Sequence, residues 1–323
     1  MHHGTRVALV IPAYNEEKLI RGTIAALPTS LDYIIVVNDA SLDGTGAVLE
    51  EVAAQNPRVI VLTNEPNGGV GSSLKLGFRY AMESTDADII GIASGDAQCD
   101  PTCMEPMIDQ LIESDCDYVK GNRFLQREAL KSMPSHRRYG NIFISLLTKF
   151  ATGYYSVSDI TMGYGFLRRS IMERIDFDLV KDRYDYEISM LVALSIADAH
   201  IEDHSVPAIY GEETSSIKLL PTVLRVLKVA WTGFWARIWN KYILYDFHPI
   251  ALFLLGGLAL LAIGTGVSLY LIIERIVNGA TPSTGTVMLG VLPLILSFQL
   301  LLTAVLMDND REKQFRSRDR SRH

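Results

Sequence analysis

Two stretches near the carboxyl end constrain this chain most: from Ile250 to Ile273, and again from Val287 to Met307, no side chain carries a charge. Each run meets the roughly 20 apolar residues that a helix needs to cross hydrocarbon, and helices inside soluble domains seldom run so far without one charge. The sequence therefore predicts a two-helix transmembrane hairpin over residues 248–309 and a basic tail over 310–323. Lys228, Arg237 and Lys241 precede the first run, and Arg311, Lys313, Arg316, Arg318, Arg320 and Arg322 follow the second, whereas the connecting loop carries only Glu274 and Arg275. Cationic flanks stay on the cytoplasmic side, so both termini are expected in the cytoplasm of a multi-pass protein with two spans. The opening Met1-His2-His3-Gly4 shows none of the regions of a signal peptide and leads straight into a strand-like run.

Ahead of the hairpin, short Val- and Ile-rich runs at Arg6 to Ile11, Tyr33 to Val37, Val59 to Leu62 and Ile89 to Ala93 alternate with helical patterns at Glu17 to Ala26, Gly46 to Gln55 and Gly71 to Ser84. This predicts an α/β domain over residues 1–216, Rossmann-like with a mainly parallel sheet, whose ligands bind beyond the carboxyl ends of the strands. Further on, the pattern predicts helices at Pro101 to Ser114 and Asp185 to Ala199 and a strand from Ile201 to Ile209. Residues 217–247 hold all three tryptophans, Trp231, Trp235 and Trp239, at a spacing that shares one helical face, which suits an amphipathic segment lying among lipid headgroups. The three cysteines fall in the expected cytoplasmic part and are read as reduced thiols. A net charge of −7 argues against nucleic acid as a partner.

The chemistry-bearing residues gather at the predicted strand ends. Pro12-Ala13-Tyr14-Asn15-Glu16 follows the first strand, and Asp39-Ala40-Ser41-Leu42-Asp43-Gly44-Thr45 the second. Carboxylates there can take a ring N–H or a ribose hydroxyl, and Asn and backbone groups can read a base edge, although Asp-Gly-Thr before a helix is also ordinary turn and cap chemistry. Asn67-Gly68-Gly69-Val70-Gly71 opens a helix, but Leu74 stands where a dinucleotide fingerprint needs its third glycine. The loop is either a backbone approach to an anion or a tight turn. After the fourth strand, Asp96 is the leading ligand for Mg²⁺ or Mn²⁺, with the amide oxygen of Gln98 beside it, while Asp100-Pro101 reads as a helix start. His200 and His204 sit at a strand entry and are not read as a metal pair.

Taken in order, Pro12 to Glu16, Asp39 to Thr45, Asn67, Asp96 to Pro101 and Gly121-Asn122-Arg123 resemble the family 2 glycosyltransferases of GT-A fold, in particular those that make dolichyl- and polyprenyl-phosphate sugars. The resemblance implies a nucleotide-sugar donor held by Pro12, Ala13, Tyr14, Glu16 and Asp39, with Asn15, Ser41 and Asp43 in the same loops. It implies metal and diphosphate at Asp96 and Gln98, and acceptor phosphate at Arg123. Where the family commonly has Asp-x-Asp this chain has Ser94-Gly95-Asp96, so one carboxylate is absent. The family's late Arg is also missing ahead of Lys218, and Arg137 and Arg138 are expected to supply its charge and, with Lys218, to join Arg123 at the acceptor phosphate.

Transfer to a lipid phosphate needs no general base, because the nucleophile is already ionised; a sugar hydroxyl would need one. Asp185-Tyr186-Glu187 is the place to seek such a base, with Asp185 read as a helix cap. The expected reaction is inverting transfer from GDP-mannose or a UDP-hexose to a polyprenyl or dolichyl phosphate. The alternatives are transfer to a lipid-linked saccharide and a non-catalytic membrane subunit.

Overall fold

A computed structural model gives the fold; it describes all residues except 115, 126–134, 161, 184, 208–218, 245–247, 280 and 321–323, and the side chains of 135–143, 219–223 and 314–320. The chain divides into two compact units, Met1–Trp235 and Ala236–His323. The border expected at 216 lies outside the described residues.

In chain order the first unit contains β1 (Val7–Ala13), α1 (Ile20–Ala25), β2 (Tyr33–Asn38), α2 (Thr45–Gln55), β3 (Val59–Thr63), α3 (Val70–Ser84), β4 (Ile89–Ile92), α4 (Met104–Glu113), β5 (Tyr118–Asn122), α5 (Ser135–Thr152), β6 (Gly165–Arg168), α6 (Arg169–Met172), α7 (Tyr186–Ile196) and β7 (Ile201–Ser205). Helix α8 (Leu219–Arg237) follows and ends two residues past the border. The strands form one seven-stranded sheet in the order β3-β2-β1-β4-β6-β5-β7. Every pair is parallel except the two made by β6, which runs antiparallel to β4 and β5. Alternate residues of β1 feed opposite cores: Val7, Leu9 and Ile11 pack with Ile24, Leu49 and Met107, and Ala8 and Val10 with Leu74, Phe78 and Leu191. Strands covered on both faces read as unbroken apolar runs, which is why β1 to β4 are legible in the sequence.

Strand β6 is not anticipated, because four residues that open on a glycine and end on an arginine carry too little pattern, and β5 hides behind its Lys120. Helix α1 starts three residues later than expected because the Glu17 carboxylate accepts from Gly44 N at 3.1 Å instead of entering a helical turn. Strand β7 ends at Ser205, short of the expected Ile209. The start at Asp100 is as read: its carboxylate accepts from Thr102 N at 2.9 Å, and Pro101 begins the turn that leads into α4.

Register brings the strand ends level, with Ala13 opposite Asn38 and Val10 opposite Ile92, so the loops after β1, β2 and β4 emerge side by side. Helix α3 lies close against the sheet through Gly77, where a Cβ would come 2.3 Å from Val10 Cγ1.

The second unit begins with a π-helical turn, Ile238–Leu244, and continues as α9 (Pro249–Asn278) and α10 (Thr284–Arg320). Both helices are long and apolar enough to cross a membrane. His248 Nδ1 caps the first by accepting from Ile250 N at 3.3 Å, and Gly279, with φ of 67°, ends it in the left-handed conformation. Small residues set their packing: a Cβ on Gly264 would lie 2.8 Å from Leu294 Cγ. Arg237, read as a flanking cation, is instead 1% exposed and forked onto Asp308 at 2.8 and 3.0 Å, with the Tyr242 hydroxyl donating to the same carboxylate. Trp231 and Trp235 pack edge to face, 5.8 Å between centroids, in the first unit, while Trp239 belongs to the second; Trp231 and Trp239 are both exposed.

Replacing Gly77 by Val forces β-branched bulk onto Val10, and overpacking of this kind costs about 1–3 kcal/mol. The variant is expected to unfold several degrees below the parent in a thermal melt of the detergent-purified chain; an equal midpoint would contradict this account of the α3 contact.

Candidate active site

The loops after β1 and β2 are stitched to each other. Asn15, at φ 58°, donates its amide to Ser41 Oγ at 3.0 Å and accepts from Leu42 N at 2.9 Å. Glu16 N donates to Thr45 Oγ1 at 2.8 Å, and Asp43 Oδ1 accepts from Thr45 N at 3.0 Å. The Thr45 hydroxyl, with backbone amides, holds the Asp43 carboxyl below its ordinary pKa. Asn15, Ser41 and Asp43, expected at the donor, thus build the loops themselves; Tyr14 stands 45% exposed beside them.

Asp39 is buried, and both its oxygens are engaged. Oδ1 accepts from Asn64 Nδ2 and Gly68 N, each at 2.9 Å, and Oδ2 from Gly69 N at 2.8 Å. Asn67 Nδ2 donates to the Asp39 backbone oxygen at 2.8 Å. The anion that the glycine segment approaches is therefore the protein's own carboxylate. Gly69, at φ 91°, and Gly71 also admit the segment after α6: a Cβ on Gly71 would be 2.0 Å from the Lys181 oxygen.

After β4 the chain turns sharply at Ala97, φ 60°. Asp96 Oδ1 accepts from Ser94 Oγ and from Gln98 N, the latter at 3.1 Å. Oδ2 receives no hydrogen bond among the described residues. Ser94, standing where a second carboxylate was expected, therefore orients Asp96. An outward carboxylate oxygen with the Gln98 side chain beside it is a donor set that fits a hard divalent cation.

Arg123 follows β5, where Asn122 Oδ1 accepts from Phe124 N at 2.8 Å and fixes the turn. Its guanidinium forks onto Asp159, Nε to Oδ2 at 2.8 Å and Nη2 to Oδ1 at 3.0 Å, and its backbone amide reaches Oδ2 at 3.1 Å. Lys120, 2% exposed, donates through Nζ to the Asp159 backbone oxygen. Burial works to raise the Asp159 pKa, but the hydrogen bonds from Arg123 and the charge of Lys120 prevail and hold it below the ordinary range.

A cleft of about 240 Å³ joins these parts: Pro12, Ser94, Asp96, Gln98, Arg123, Gly163, Tyr186 and Glu187 all line it. It unites Asp96, Gln98 and Arg123, as the motifs anticipate, with Pro12. Ala13, Tyr14, Asn15, Glu16, Asp39, Ser41 and Asp43 belong to the neighbouring loops rather than to its walls. Arg137 and Arg138 lie on α5 with side chains outside the described set, and Lys218 lies outside the described residues.

Asp159 and Lys120 escaped sequence reading. A lysine inside an apolar strand, three residues before Arg123, was the available signal, since a buried ammonium needs a partner. Asp185 precedes α7 but makes no side-chain cap, contrary to its expected role. Glu187 is the acidic residue of that trio that faces the cleft, and burial raises its pKa to about 8 against the opposing charges of Lys120 and Arg123.

The fold and this cleft define an α/β enzyme whose site lies at the carboxyl edge of a mainly parallel sheet. The glycosyl transferase family 2 profile matches residues 8–176, and the chain belongs to that family and is a glycosyltransferase. It is 30% identical over 219 residues, 64% of this chain and 86% of the other, to a UDP-N-acetylglucosamine–dolichyl-phosphate N-acetylglucosaminyltransferase of Methanococcus voltae. It is 28% identical, over 57% of this chain and 76% of the other, to an undecaprenyl-phosphate mannosyltransferase of Micrococcus luteus. Among solved structures it resembles glucosyl-3-phosphoglycerate synthase of Mycobacterium tuberculosis in complex with Mn²⁺, UDP-glucose and phosphoglyceric acid. That likeness has a TM-score of 0.52 at 19% identity, covers 72% of this chain and 80% of the other, and carries the GT-A fold.

A carboxyl with a folded pKa near 8 and an ordinary unfolded value keeps its proton when folded while the unfolded chain has lost it, so stability falls as pH rises from about 4.5 towards 8 and levels beyond. Glu187→Gln removes this cost. Its melting point is expected to gain on the parent between pH 5 and pH 8; a constant difference across that window would refute the shift.

Proposed function

We propose that this enzyme transfers a sugar, with inversion, from a nucleotide-sugar donor, GDP-mannose or a UDP-hexose, to a polyprenyl or dolichyl phosphate in the membrane. The observation that carries this reading is the single cleft in which Asp96 and Gln98 stand together with Arg123. The first two suit the donor diphosphate and the third, a planar fork of N–H donors, suits phosphate oxygens. The names of the relatives in Methanococcus voltae and Micrococcus luteus, both acting on polyprenyl-type phosphates, support the same acceptor.

Asp96 and Gln98 would hold Mg²⁺ or Mn²⁺, and such an ion, when bound, neutralises charge building on the leaving diphosphate. Mn²⁺ accompanies UDP-glucose in the structurally similar synthase. The remaining work belongs to the protein's own groups. Pro12 and the β1 and β2 loops seat the nucleoside, and Arg123 directs the acceptor oxygen at the sugar carbon. Asp159 keeps Arg123 in one rotamer, so that its orientation is set before the acceptor arrives. Ionised phosphate oxygen attacks the anomeric carbon as the bond to the nucleotide breaks, and no proton need be removed.

Incubating the detergent-purified chain with labelled UDP-GlcNAc, UDP-glucose or GDP-mannose, Mg²⁺ or Mn²⁺, and undecaprenyl or dolichyl phosphate is expected to yield an acid-labile labelled lipid. Asp96→Ala should slow turnover about a hundredfold or more. Label appearing only on a lipid-linked saccharide would instead favour transfer to a hydroxyl, and no product with any donor would reject both reactions.

The two apolar helices anchor the chain in the membrane in this reading, with both termini cytoplasmic, supported by the basic residues from Arg311 onward. A single cysteine placed in the tail of spheroplasted cells should resist a membrane-impermeant maleimide until the cells are lysed; labelling of intact spheroplasts would reverse the orientation.

A further inference from the structure

Three carboxyls lie around the buried Lys120, and they differ in what holds them. Asp159 receives the Arg123 fork. Asp203 accepts from Asn122 Nδ2 at 2.6 Å and Ser158 N at 3.4 Å. Glu187, which lines the cleft together with Asp96 and Arg123, receives no side-chain hydrogen bond from any described residue. Its position is built rather than accidental: it occupies the first turn of α7, and the neighbouring Tyr186 is packed so tightly that a Cβ on Gly163 would come 1.9 Å from the Tyr186 hydroxyl oxygen. A carboxyl group fixed at a cleft, held by its own backbone amide and by no side chain among the described residues, is placed to meet substrate.

Its protonation state decides what it can meet. The charges acting on it are Lys120 from β5, Arg123 from the turn after β5, and Asp159 from the loop before β6. The phenols of Tyr118 and Tyr186 also lie near it and stay neutral, burial having raised both. Asp203 on β7 acts on Lys120. The Arg123 fork is matched to Asp159, and burial outweighs the two cations, so Glu187 keeps its proton near neutrality. A phosphate arriving at Arg123 adds negative charge that favours the proton, opposing the cation that Asp96 and Gln98 would hold in the same cleft. A general base would need the opposite, a carboxylate that has already lost it.

We propose that Glu187 binds the acceptor phosphate as a neutral carboxyl, donating a hydrogen bond to a phosphate oxygen beside Arg123. This rests on the lipid-phosphate acceptor proposed above. It makes Glu187 an acceptor-affinity residue, one that rejects the phosphate when it ionises, because two anions would then share one desolvated site.

The test is the KM for undecaprenyl phosphate between pH 7 and 9.5, a window above the second ionisation of the phosphate itself. In the parent, KM is expected to rise about tenfold across the last unit and a half, as Glu187 ionises. Glu187→Ala should raise KM severalfold already at pH 7.5, and Glu187→Gln, which restores a neutral N–H donor, should recover most of that loss and flatten the rise. A pH rise persisting in Glu187→Gln would assign it to Lys120 and overturn the proposal. So would turnover slowed about a hundredfold or more in Glu187→Gln while KM stays put, the signature of a lost base. A parent that makes no lipid-phosphate product at any pH would overturn the acceptor reading itself, a result distinct from either.

Discussion

The buried carboxyl of Asp39 is the interaction on which the loops after β2 and β3 depend. It gathers the amides of Gly68 and Gly69 and the side chain of Asn64, so that the end of β2, the end of β3 and the start of α3 meet at one point. Buried charge is tolerated only when so satisfied. From there the dependence runs outward. The glycine segment, held in place, receives the chain before α7, with Ser72 N donating to the Asp182 oxygen at 3.0 Å, and α7 in turn carries Tyr186 and Glu187 to the cleft. One buried carboxyl thus connects the ends of β2 and β3 with the wall on which the acceptor chemistry is proposed.

Around the cleft, similar groups take different states because their surroundings differ. Asp159 and Glu187 are both carboxyls close to Lys120 and Arg123, yet the bidentate fork holds the pKa of the first below the ordinary range while burial raises that of the second, which lacks such a donor. Lys120 is itself lowered by burial and balanced chiefly by Asp159. In the proposed reading, the cluster offers a cation to draw an anion in and a carboxyl to receive it.

The second unit solves a different problem with related means. Its helices present apolar side chains outward, and they approach each other at Gly257 and Gly264, where small residues let backbones come close. A strong polar contact at their base, Arg237 with Asp308 and Tyr242, joins the turn before the first apolar run to the residue just after the second. A pair so well buried would be costly to break, since either partner alone would be left as an uncompensated charge.

Much of this was determined by sequence alone. The uncharged runs give the two long helices, the unbroken Val and Ile runs give four parallel strands, and the ordered motifs give the family, because each depends on local composition and spacing. Asp96, Gln98 and Arg123 were legible as a group for the same reason. Tertiary structure decided the partners. Nothing local shows that the anion at the glycine segment is Asp39, that Arg237 faces Asp308 rather than water, or that Arg123 is matched by Asp159 and followed in the cleft by Glu187 instead of Asp185. These are contacts between residues far apart in the chain, and ionisation states set by burial, and both exist only once the strands have been brought together.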